Sequence, residues 1–248
     1  IATTVMLFPA SNLIVKIAKK IGRVDEDAND PGTVLLDERM LQTPSIALQS
    51  VIKETVRMGE IVRRSIEVAK DVLYTQDQEA IDILKNDESD VDRLCAGITN
   101  YTIKLSSLQI SEKEHQEAAH LLQVLSDMER VSDYCENISE FADTLRDKKA
   151  SFSETAKKQL KEMIEETAKS YFYALDAFKE QSHEKALRVI EKETKVDDLE
   201  VKLRSRHIKR LSNNECNTEA GIVFLDTLVC MERISDHARN IAEEVLEE

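Results

Sequence analysis

From residue 43 onward, apolar residues return every three or four positions almost without a break, the rhythm of helices that bury one face. The interruptions carry helix-end signals. Thr43 followed by Pro44 predicts an N-cap with proline in the first turn, opening a helix to about Tyr74. A second helix is predicted from near Asp77 to about Ser106. Ser111 with Glu114 has the spacing of a capping box and opens a third, to about Asp147; Ser151 with Glu154 repeats that spacing before a fourth. The later helices are predicted at 153–181, 184–212 and 217–247. Connections this short force neighbours to run antiparallel, so the expected fold is all-α, with two tandem three-helix bundles at 43–148 and 151–248.

Residues 1–24 break the pattern. They are apolar, carry no acid, are interrupted by Pro9, Ser11 and Asn12, and close on Lys16, Lys19, Lys20 and Arg23. That is too short and too broken for a full membrane span. It reads as the end of a span, or as an interfacial helix with Leu13, Ile14, Ile17 and Ile21 on one side and bases at the cytoplasmic boundary. A first helix packed on the core is the plainer reading. A signal peptide is disfavoured, because the bases follow the apolar stretch instead of preceding it. Residues 25–42, acidic and containing Pro31-Gly32, read as a linker.

Composition narrows the class. Five glycines, three prolines and no tryptophan in 248 residues suit long helices. A net charge of −14 argues against a nucleic-acid partner and is compatible with cation binding. Cys95, Cys135, Cys216 and Cys230 are widely spaced without a C-x-x-C pair, so they indicate neither a thiolate zinc site nor a disulfide framework.

The candidate chemistry lies in a duplication. MERVSDYCENISE, Met128 to Glu140, returns as MERISDHARNIAE, Met231 to Glu243. The preceding helices also match, NDESDVDRL from Asn86 answering EKETKVDDL from Glu191. Four acidic pairs at i, i+4 thereby fall at equivalent places: Glu88 with Asp92, Glu129 with Asp133, Glu193 with Asp197, and Glu232 with Asp236. Such spacing puts both carboxylates on one helix face. In the first copy the row continues through Glu136 and Glu140 beside an apolar face, and it is expected to lack compensating bases. If Glu88 and Asp92 stand opposite it, the oxygen-rich site suits Mg, Ca, Mn, Fe or Zn. A solvated acidic surface is the plainer reading of the row alone. In the second copy Arg239 replaces Glu136 and is expected to neutralise Asp236 and Glu243 in part, while Arg130 and Arg233 are expected to bridge to the neighbouring acids. Asn137 and Asn240 recur where an amide can bond across to another helix, and His237 has no histidine at ligand spacing. No Glu-x-x-His di-iron pair, phosphate-cradling glycine loop or activated nucleophile is picked out, so an enzyme is not expected.

These residues carry a resemblance. ERISDHARNIAE, echoed by ERVSDYCENISE and preceded in each copy by E-x-x-x-D-x-L, resembles the PhoU family, regulators of bacterial phosphate uptake. Leu35 to Val62 is similar to the segment that joins the membrane part of bacterial sodium/phosphate cotransporters to a C-terminal PhoU-like domain, and Thr3 to Ile21 resembles the end of that membrane part. Serines 132 and 235 stand where the family usually has glycine, and Tyr134 where the second copy has the more usual His237. The resemblance implies a regulatory domain on the cytoplasmic side of the cell membrane, whose partner is a transporter portion of the same chain. It also implies divalent or trivalent metal ions (Fe, Zn, Mn or Mg) on Glu88, Asp92, Glu129, Asp133, Glu193, Asp197, Glu232 and Asp236. Inorganic phosphate would be met through metal, since bare carboxylates repel it. Pairing into a homodimer stays open, as do two alternatives: a free-standing PhoU-like adaptor, and a helical scaffold with no ligand.

Overall fold

In the computed structural model, which describes residues 30–213 and 215–247, the apolar periodicity resolves into six long helices. They are α1 (Pro44–Thr75), α2 (Gln78–Ser106), α3 (Glu112–Asp147), α4 (Glu154–Glu180), α5 (His183–Ser212) and α6 (Thr218–Glu247), preceded by a 3-10 turn at Glu38–Gln42. Residues 1–24, the expected span end or interfacial helix, lie outside the described residues. Among the described residues no helix is long and apolar enough to cross a membrane.

Local chemistry accounts for the helix ends. Ser111 Oγ accepts the Glu114 N–H at 3.3 Å while the Glu114 carboxylate accepts the Ser111 N–H at 2.8 Å, a reciprocal box that satisfies two otherwise orphaned donors of α3. Two expected caps differ. Pro44 does occupy the first turn of α1, but the Thr43 side chain makes no capping hydrogen bond. At α4 the cap is Ser153, whose hydroxyl accepts the Ala156 N–H at 3.3 Å; Glu154 is itself the first helical residue, which leaves Ser151 outside. The helices α1 and α4 end alike, on Gln76 (φ 51°) and Gln181 (φ 49°), each in the left-handed conformation that stops a helix. The duplication therefore extends to the backbone.

The helices α1 to α3 form one three-helix bundle and α4 to α6 the other, but their apolar faces make one continuous core, because α1 packs on α4 and α3 on α6. Two features hold this seam close. At Gly59 of α1 a Cβ would lie 2.5 Å from Leu175 Cδ1 and 3.1 Å from Met128 Cε, so any larger residue would have to displace the ends of these side chains where α4 and α3 approach. Tyr171 of α4 is wholly buried and its hydroxyl donates to the Gly59 carbonyl at 3.1 Å. Arg63 adds a charged contact across the same seam, donating to Asp176 at 2.6 Å and to the Phe172 carbonyl at 3.0 Å.

The part of the expected linker that is described is bound along the first bundle. Glu54, 4 % exposed, accepts the Leu35 N–H at 2.8 Å, and Arg57 donates to the Pro31 and Thr33 carbonyls at 2.6 Å. Tyr101 of α2 donates to the Asp37 carbonyl at 3.0 Å. Backbone carbonyls of an irregular segment are thus satisfied by side chains of α1 and α2.

Candidate metal centres

The chemistry sits where α2 faces α3 and, in the second bundle, where α5 faces α6. Antiparallel packing brings the i, i+4 pair of one helix opposite the acidic row of the next. In the first bundle Glu88, Asp92 and Asp133 converge, each offering a carboxylate oxygen within 4.8 Å of the others; in the second, Glu193, Asp197 and Asp236 do the same. Six of the eight predicted residues are therefore gathered into two matched triads. Glu129 and Glu232 lie one helical turn earlier and outside them. Both remain electrically close: burial, then Asp133, raises the proton affinity of Glu129, and burial, then Asp236, that of Glu232.

The two faces differ in what opposes the leading glutamate. In the first, Glu136 adds negative charge beside Glu88, whose pKa is raised to about 7 by burial first, then by Asp92 and Glu136. Asp133 and Glu136 are also raised, chiefly by burial. In the second, Arg239 stands at the position of Glu136 and donates to Glu193 at 2.8 Å and to Glu243 at 2.8 Å. The neutralisation expected at Asp236 thus falls mainly on Glu193, a residue of the opposite helix. Asp197 still has one carboxylate oxygen, Oδ1, buried without a hydrogen-bond partner, and its pKa is raised by burial and by Glu193. A buried orphan oxygen among acids is the environment a cation relieves.

The first row is not as bare as the sequence suggested. Arg130, three residues before Asp133, lies 3.5 Å from it and 3.8 Å from Glu129; Arg233 repeats this with Asp236 at 3.7 Å and Glu232 at 3.5 Å. These arginines are more than half exposed, so they screen the outer edge of each face and leave the convergent oxygens between the helices. Both triads fit a hard or borderline ion: the donors are all carboxylate, and oxygens no more than 4.8 Å apart are compatible with the roughly 4.4 Å that separates opposite ligands of an ion with bonds of about 2.2 Å.

Glu88 makes a testable contribution to pH dependence. Between the ordinary value of 4.5 and about 7 the folded protein keeps a proton that the unfolded chain releases, so stability without metal falls as pH rises through that window. Urea unfolding in chelator is expected to show this decline in the native protein and a flatter curve in Glu88→Gln. An equal decline in both would remove Glu88 as its source.

Three features escaped the sequence reading. Asp127, 3 % exposed, is the acceptor at the seam between the bundles: His237 Nδ1 lies 2.8 Å from it, Asn240 donates at 3.0 Å and Gln123 at 3.1 Å, while His237 stacks on Tyr134. The repeated phrase begins one residue too late to include Asp127, whose counterpart in the second copy is Cys230. Cys95 borders the first triad, its thiol pushed up by burial and then by Glu129. A Glu-x-x-His spacing does occur, at Glu117 and His120, and the structure places it at the far end of the α3–α6 seam.

Comparison with known proteins matches the PhoU domain family model at residues 55–142 and 160–245, one copy per bundle. The chain is 28 % identical over 200 residues to the phosphate-specific transport system accessory protein PhoU homolog of Xylella fastidiosa, covering 80 % of this chain and 83 % of that protein. It is 25 % identical over 246 residues to the putative inorganic phosphate export protein YjbB of Salmonella typhimurium, covering 98 % of this chain and 45 % of that protein. Among solved structures, PhoU from Pseudomonas aeruginosa superposes with a TM-score of 0.74 at 21 % identity, covering 80 % of this chain and 95 % of that one.

Proposed function

The chain belongs to the PhoU-domain family, and from that premise we propose that it regulates phosphate transport as a helical adaptor whose acidic faces hold metal ions. The observation that carries the reading is the pair of matched carboxylate triads, drawn together in both repeats at an electrostatic cost that a bound cation would offset. Glu88, Asp92 and Asp133 would hold one ion, and Glu193, Asp197 and Asp236 the other. Bound metal supplies positive charge to a face that otherwise repels phosphate and acidic partners. The protein's own part is to fix the oxygens on two rigid helices, so that little ordering remains when a ligand arrives. The reading gives the chain no enzymatic role.

A second reading places the domain on the cytoplasmic side of the cell membrane, joined in one chain to its transporter. The near-complete alignment with a phosphate export protein about twice as long favours it. The two readings separate by the native protein's size and fraction. A band near 28.2 kDa outside the membrane fits the adaptor, and one roughly twice as large within it fits the joined form.

The functional test is radiolabelled phosphate flux in the source cells. A folded Asp92→Asn/Asp133→Asn double variant is expected to behave like loss of the gene, because it keeps the helices and removes two ligands of the first triad. Flux indistinguishable from wild type, with metal content of the variant confirmed as reduced, would sink the metal-dependent adaptor.

A further inference from the structure

We propose a third cation site, of mixed nitrogen and oxygen donors, at the seam between the bundles, formed by His120 of α3 with Glu244 and Glu247 of α6. A ligand atom from each lies within 4.8 Å of the other two, and His120 Nδ1 is hydrogen-bonded to the Glu244 carboxylate. Glu117, one turn before His120, lines an adjoining cavity of about 240 Å³ together with Lys113, Gln116, His120 and Glu247, room for an ion and part of its water shell.

Three observations distinguish this cluster from an ordinary ion pair. First, the imidazole needs one carboxylate, yet Glu247 also offers an oxygen within 4.8 Å of it, and Lys113, which lines the cavity, is engaged with Glu117 at 3.4 Å. Second, the donors come from opposite ends of the chain's organisation, the N-terminal third of α3 and the last turn of α6, so one ion would tie the first bundle to the second. Third, the duplication does not create the cluster. In the register that aligns Met128 with Met231, the counterpart of His120 is Val223 and that of Glu244 is Phe141, both packed in or against the core. One end of the α3–α6 pair is therefore apolar and the other carries the donors.

The donor set also predicts a different ion from the carboxylate triads. Oxygen-only faces suit hard ions as readily as borderline ones, whereas an imidazole with two carboxylates selects zinc and its neighbours. We take Zn²⁺ as the probe. The site stands apart from both triads, so it does not depend on the function proposed above.

Zinc titration by calorimetry of the chelator-stripped full chain tests it, with helical circular dichroism verifying that each variant folds. Native protein is expected to bind a zinc equivalent that His120→Ala and the exposed-residue variant Glu247→Gln each weaken by about tenfold or more. An Asp92→Asn/Asp133→Asn/Asp197→Asn/Asp236→Asn protein is expected to retain it. Zinc binding unchanged in Glu247→Gln and in a folded His120→Ala overturns the proposal, as does an equivalent that survives His120→Ala and disappears with the four aspartates. Retention in the four-aspartate variant separates failure of this site from failure of the triads.

Discussion

Tyr171→Ala is expected to destabilise the protein by about 3–5 kcal/mol, the range for emptying an aromatic site in a packed core. Its ring is fully buried between the bundles and its hydroxyl is bonded to the Gly59 carbonyl of the opposite bundle, so the loss falls on the seam as well as on α4. Tyr171→Phe keeps the ring and removes only the hydrogen bond, and is expected to cost about 1 kcal/mol. For a chain of this size the alanine variant should melt roughly 10 °C lower. The shape of the transition matters as much as its midpoint. Because the core runs without a break through both bundles, calorimetry should show a single transition moved as a whole. Two separated transitions, with only one displaced by the substitution, would mean that the bundles fold independently and that the seam couples nothing.

Loading the triads is the second large effect. A ligand that binds only the folded protein, present at a hundred times its dissociation constant, adds about 2.7 kcal/mol per site. Stripped protein is therefore expected to gain several degrees of thermal stability on addition of Mn²⁺ or Fe²⁺. Asp133→Ala should abolish the part of that gain due to the first face, and Asp236→Ala the part due to the second. The first face should respond at lower metal concentration, because Glu136 adds charge beside Glu88 whereas Arg239 already occupies Glu193. Glu136→Arg reproduces the second arrangement in the first bundle and is expected to weaken its response. Unchanged melting of the native protein at saturating metal would favour a scaffold whose acids are simply solvated.

The helices were legible in the sequence because their signals are local. Apolar spacing, Pro44 and the Ser111–Glu114 box each act within a few residues, so the ends fall within a residue or two of expectation. The cap at Ser153 was misread as Ser151 because both serines precede the same acidic helix start. Candidate ligands were legible because duplication marked them, and antiparallel neighbours were enough to bring Asp92 opposite Asp133. What the sequence withheld depends on distance along the chain. The Gly59–Tyr171 contact joins residues of different bundles, and nothing at Gly59 distinguishes it from a tolerated helical glycine. Arg239 was read against the acids of its own helix, which holds for Glu243, yet its second partner Glu193 comes from α5. Glu129 and Glu232 matched the motif as well as any, but being one turn from the crossing takes them out of the convergent set. His120 and Asp127 are answered in the second copy by Val223 and Cys230, which do not repeat their chemistry, so a reading guided by the repeat passed over them.

The account rests on a cation held between α2 and α3, and anomalous diffraction addresses it most directly. Crystals grown with Mn²⁺ and no chelator, measured near the manganese absorption edge, should give a peak within bonding distance of Glu88, Asp92 and Asp133, with a second at Glu193, Asp197 and Asp236. A map at ordinary occupancy with no peak at the first triad, its three carboxylates turned apart into solvent, would contradict it.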